Sequence, residues 1–289
     1  MSLPARVEAP LKELAPLGNG WFFSLFLLTG LITIVACAVV YPLADRFVDD
    51  PGDAIRKMRV AGWARLLAFL LLFPFFSWVM FLTRADQASS CSSVRAFGIS
   101  LAITPLILIT AYLLMEAFQS MGRSLGREHP LVQLFRSGQS SDVWLVLGLV
   151  LVVAPFIEEI MFRVLFQQWI TSASIGPILG WFMSFGLVVF QINGSGMFNF
   201  PVLILWCQIA FFMILGAVVI RGGYVWSAKT ASIFSGALVF AAVHSFAWPS
   251  PAGLFPLALG LGWLRETTGR IWPCMIVHAL FNGFGAMLM

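Results

Sequence analysis

Charge is scarce in this sequence. Lys, Arg, Asp and Glu make up 10% of the 289 residues and hydrophobic residues 60%, which leaves too few polar groups to solvate a globular surface. No polar stretch is long enough to fold as a second, soluble domain. Cysteine is sparse as well: Cys37, Cys207 and Cys274 lie inside apolar runs and Cys91 stands alone between two of them, so no spacing suggests a disulfide framework or a zinc knuckle. The net charge of +4 is small for this length and no basic cluster accompanies it, which argues against nucleic acid as a partner. No segment repeats at a period of 20–50 residues, which excludes a solenoid. His-Glu-x-x-His is absent too, which removes the usual helical zinc-peptidase signature.

What is present is apolar length. Runs near 20 residues suit a hydrocarbon core roughly 30 Å thick, and they fall at about 21–43, 64–83, 97–119, 143–170, 175–192, 202–220, 230–247, 252–264 and 271–288. The first exceeds a signal-peptide core and reads as an uncleaved span. The eighth is short, contains Pro256, and could re-enter instead of crossing. Trp21, Trp63, Trp144, Trp169, Trp226, Trp248, Trp263 and Trp272 fall at the proposed ends, where indole favours the membrane interface. The expected fold is all-α, a polytopic transmembrane helical bundle of about eight or nine spans, integral to the cell membrane with the bilayer as a constant partner. The basic residues of alternate connections balance, so charge asymmetry assigns no orientation.

The run from Val143 to Ile157 is apolar apart from Gly148 and Pro155, and then reads Glu158-Glu159-Ile160-Met161-Phe162-Arg163. A charge at the centre of a spanning helix costs roughly 2.5–3.5 kcal/mol on insertion scales, so three in six residues mark a functional site. Glu159 and Arg163 are four apart, stacked on one helical face and able to pair. Glu158 points about 100° away. Histidine occurs three times, and two of the three lie in apolar helices. One closes Phe240-Ala-Ala-Val-His244 and the other opens His278-Ala-Leu-Phe-Asn282, each placing two residues on one face. Polar groups on separate spans reduce their desolvation penalty by meeting in one cavity.

Glu-Glu-x-x-x-Arg, Phe-x-x-x-His and His-x-x-x-Asn, in that order on membrane helices, resemble the CPBP (CAAX protease and bacteriocin-processing) intramembrane endopeptidases, which include the CAAX prenyl endopeptidase. The resemblance covers residues 143–289 as a catalytic transmembrane region, supported by Gly260, Gly262 and the Thr268-Gly269-Arg270-Ile271-Trp272-Pro273 approach to the last helix. Residues 1–142 form an N-terminal region of about three spans with nothing specific to that family. The chain departs from the pattern in one respect: an extra apolar pair near 175–220 separates the Glu-Glu helix from the Phe-x-x-x-His helix. An inserted hairpin keeps the parity of crossings, so the two helices remain able to run antiparallel.

The resemblance implies an endopeptidase for a membrane-associated or lipidated protein. Glu158 would be the general base on water and His244 would help hold that water. His278 with Asn282 would stabilise the oxyanion, and Glu159, Arg163 and Phe240 would support them. Glu158, His244 and His278 also make a three-ligand zinc set. Asn282 beside His278 suits oxyanion donation better than ligation, so no cofactor is expected, with zinc as the alternative. The reading from another class is a non-enzymatic protein, a proton-coupled transporter or scaffold, since Glu and His also build relays.

Overall fold

The computed structural model describes residues 54–83, 91–121, 130–136, 139–172, 228–244 and 250–288, with helical positions within 22–35 and Met183. Among these residues the only regular structure is helical. The helices are α1 (Ala54–Thr83), α2 (Ser93–Met121), α3 (Pro130–Arg136), α4 (residues 140–172), α5 (Ala228–Val243), α6 (Ser250–Thr268) and α7 (Trp272–Met287). Three stretches, Ile55–Thr83, Ser93–Ala117 and Ser140–Thr171, are long and apolar enough to cross a bilayer. The expected hairpin at 175–192 and 202–220 lies outside the described residues.

Helices α1 and α6 are longer than the sequence expectation. Helix α1 starts at Ala54, not near 64, and runs through Arg56, Lys57 and Arg59. Lys and Arg are good helix formers, and Arg59 is held by a buried partner. Its Nε and Nη2 donate to the two Asp142 carboxylate oxygens at 2.6 and 2.8 Å, and Asp142 is fully buried. Helix α6 has 19 residues instead of 13, continuing past Trp263 to Thr268. That is about 28 Å of helix. Its polar end is accommodated because Glu266 accepts from Gln167 Nε2 at 3.1 Å and lies 3.7 Å from Lys229 Nζ.

A hydrophobic cluster joins most of the helices. Phe76 and Val79 of α1, Ile107 of α2, Ile160, Val164 and Leu165 of α4, Leu257, Leu261 and Leu264 of α6 and Val277 of α7 pack together, with Leu25 added from the helical positions before α1. Close approach comes from glycine. A Cβ on Gly260 would meet Ile107 Cδ1, and one on Gly262 would sit 3.0 Å from Ile233 Cγ2. Small residues let membrane helices approach in this way, where lipid supplies no hydrophobic drive. Leu70, Leu71, Phe81, Leu106, Leu113 and Trp144 point outward and are exposed, the arrangement expected of a surface bathed in hydrocarbon. Trp169 is different: it is only 9% exposed and packs on Phe166 at 5.8 Å, so it belongs to the interior and not to an interfacial belt.

The turn from α6 to α7 is tightly fixed. Gly269 adopts φ 66° and its N–H donates to Arg265 O at 2.8 Å, a left-handed helix stop that glycine takes without steric penalty. Arg265 Nη1 donates to the Gly269 carbonyl, Thr268 Oγ1 accepts from Arg270 N–H, and Pro273 lies in the first turn of α7. The orientation of α7, which carries His278, follows from that turn.

Candidate active site

Helix α4 is continuous but irregular. Residues Leu149–Val153 and Ile160–Phe166 are π-helical, and the α-helical segment Ala154–Glu159 between them ends on the two glutamates. Such bulges are frequent at functional sites, where the wider turn re-aims neighbouring side chains. Glu158 and Glu159 fall just past the midpoint of α4.

Their surroundings differ. Glu159 is fully buried and engages both carboxylate oxygens: Oε2 accepts from Arg163 Nε at 3.1 Å and Oε1 faces His278 Nδ1 at 2.8 Å. Because that carboxylate already accepts from a guanidinium, Nδ1 of His278 is the donor, which leaves Nε2 as the outward atom. The Arg163 Nη atoms are buried and have no hydrogen-bond partner among the described residues. Their charge faces Glu159 and the ring of Phe240, whose centroid lies 5.4 Å from Cζ.

His244 stands just past the last residue of α5. Its own N–H donates to Ala241 O at 3.1 Å, a tightened last turn. The His244 ring folds back on the same turn, with Nδ1 donating to Phe240 O at 2.8 Å. This fixes the tautomer and turns Nε2 inward. Glu158 receives both imidazoles: Oε1 lies 4.0 Å from His244 Nε2 and Oε2 lies 3.8 Å from His278 Nε2. Glu158 and His244 side chains are each 24% exposed, and His278 only 2%. Phe240 forms the floor, its ring 5.0 Å from His244 and 5.8 Å from His278.

Helix α5 runs antiparallel to α4, since Gly236 faces Arg163 while His244 faces Glu158. Of the residues singled out in the sequence, Glu158, Glu159, Arg163, Phe240, His244 and His278 meet in one cluster. Asn282 is placed differently: its Nδ2 donates to the Val150 carbonyl at 2.8 Å. Sequence spacing gave no sign of that contact, nor of the Arg59–Asp142 pair near the start of α4.

A metal would use Glu158, His244 and His278. Tetrahedral zinc with arms near 2.0–2.1 Å has ligand-to-ligand edges of about 3.3 Å. The edges here are 4.0 and 3.8 Å. They run to different oxygens of Glu158 and exceed that edge, so the donor types suit zinc while their spacing is too wide for it. Among the described residues no group of three His, Cys, Asp or Glu is close enough to hold an ion as it stands.

Residues 224–284 match the family model of the type II CAAX prenyl endopeptidase, Rce1-like proteins, a protease family within the group that the three motifs resemble. No curated protein and no solved structure matches the chain. The matched stretch contains His244, His278 and Asn282. Glu158, Glu159 and Arg163 lie upstream of it and join it through the contacts described above.

Proposed function

We propose that this chain is an intramembrane endopeptidase that hydrolyses a peptide bond in a membrane-associated or lipidated protein through a water activated by Glu158. The observation that carries the reading is the convergence of two imidazole Nε2 atoms on one carboxylate, each ring held from behind through Nδ1. Separations of 4.0 and 3.8 Å exceed a direct hydrogen bond. They suit a water oxygen about 2.8 Å from each group, which would see each pair at an angle of about 90°.

The chemistry then assigns itself. The water transfers one proton to Glu158 and keeps its second hydrogen, which it donates as a hydrogen bond to the His244 Nε2 lone pair, while its oxygen attacks the scissile carbonyl. His278, when both its nitrogens carry protons, keeps Nδ1–H on Glu159 and presents Nε2–H to the oxyanion. Collapse of the tetrahedral intermediate breaks the C–N bond, and the proton held by Glu158 passes to the leaving amine. Zinc on the same three side chains is the alternative chemistry within the same peptidase reading.

The test uses purified protein in detergent or proteoliposomes, with a prenylated CAAX peptide and its unprenylated counterpart. The parent should cleave at least one of them. Glu158→Gln should lose about 10²–10⁴-fold in kcat, the scale of general-base catalysis, with unchanged thermal unfolding. A parent that cleaves neither, or a Glu158→Gln variant as fast as the parent, would sink the proposal.

A further inference from the structure

Pro155 interrupts the backbone of α4 three residues before Glu158. At the end of the π-helical stretch Leu149–Val153 the Ala154 N–H reaches back five residues and donates to Leu149 O. In that register the Val150 carbonyl requires the N–H of residue 155. Proline has none. A carbonyl orphaned inside a membrane helix must find a donor elsewhere, because hydrocarbon offers no water to take its place.

The donor comes from α7. Asn282 Nδ2 meets Val150 O at 2.8 Å, across 132 residues of sequence. The following residue is glycine, and a Cβ at Gly283 would lie 3.2 Å from Leu151 Cδ2, so α7 packs tightly on the Leu151 side chain at this point. His278 lies one turn before Asn282 on the same face of α7. It is the residue whose ring donates to Glu159 and faces Glu158.

We infer that Asn282 is a positioning residue, which ties α7 to the carbonyl that Pro155 leaves unpaired in α4 and so sets how His278 sits against Glu158 and Glu159. Its amide thus does a different job from the oxyanion donation expected of it. A helix clipped one turn from His278 cannot slide or rotate, and the ring keeps both of its carboxylate contacts. The activity arm of the test rests on the peptidase reading; the stability arm does not.

The experiment compares the full-length parent, Asn282→Ala, Pro155→Ala and the double variant, by thermal unfolding and by kcat and KM on a peptide the parent cleaves. Asn282→Ala should lower kcat about 10²-fold, the scale of misplacing a catalytic group by about 1 Å, with KM little changed. Pro155→Ala supplies an N–H to the Val150 carbonyl within α4, so the double variant should regain the thermal stability lost with Asn282 while kcat stays low, because α7 is still unclipped. Oxyanion donation predicts a loss of kcat with thermal unfolding unchanged, and that result would overturn the inference. If Asn282→Ala does not accumulate, the double variant must do so; its failing alike also overturns the inference. If the parent shows no cleavage, the peptidase reading falls. In that case, or if Pro155→Ala is itself inactive, the unfolding data decide. Recovery of the Asn282→Ala loss in the double variant supports the clip, and additive losses refute it.

Discussion

Replacing Glu159 with alanine removes the acceptor of two buried donors at once. Arg163 Nε and His278 Nδ1 both end on that carboxylate, at 3.1 and 2.8 Å, and the Arg163 side chain is fully buried. The Arg163 Nη atoms have no hydrogen-bond partner among the described residues, so the variant leaves the guanidinium without its carboxylate. Breaking a buried pair by removing one partner costs about 3–5 kcal/mol, a large share of a total stability of about 5–15 kcal/mol. For a chain of this size the loss corresponds to a fall of about 10 °C in melting temperature. Thermal unfolding in detergent, followed by tryptophan fluorescence, reads it directly. The double variant Glu159→Ala with Arg163→Met should recover most of the loss, because a thioether of similar length removes the stranded cation. Activity should remain low in both, since His278 has lost the acceptor that orients its ring. Should Glu159→Ala unfold like the parent and lose only kcat, the two glutamates have the opposite roles and Glu159 is the reacting carboxylate.

The remaining expectations concern separate parts of the molecule. If Glu158 activates water directly, the purified protein should contain no stoichiometric zinc and should keep its activity in strong chelators. One zinc per chain, lost together with activity in Glu158, His244 and His278 variants but retained in Asn282→Ala, would establish the metal alternative. Asp142→Asn should lower stability by about 1.5–3 kcal/mol, the value of hydrogen bonds to charged groups, and leave kcat per folded molecule unchanged. A matching fall in kcat would mean that the Arg59 clamp reaches the site. Gly260→Ala should lower stability by about 1–3 kcal/mol through overpacking, because its methyl group would meet the Ile107 side chain. Ile107→Val, which lacks the Cδ1 atom, should relieve the strain; a full loss persisting in that background would place the clash elsewhere.

The amino-acid sequence by itself determined the helical class and the chemistry available to the site. Apolar length fixes helices in a medium without water, because every backbone group must then be satisfied internally. Charge and histidine inside such runs are costly enough to be conspicuous, which is how Glu158, Glu159, Arg163, His244 and His278 stand out. The Glu159–Arg163 pair was legible too, since helix geometry places residues four apart side by side whatever surrounds them. Contacts between helices are of another kind. They depend on rotation and depth of packing, which local periodicity does not encode. So the sequence could not say that His278 Nδ1 belongs to Glu159 while its Nε2 faces Glu158, or that Arg59 reaches Asp142 across 83 residues. Nor could it say that the Asn282 amide ends on Val150. That contact exists because a π turn changes which carbonyl Pro155 leaves unpaired, and only the folded bundle brings α7 close enough to meet it.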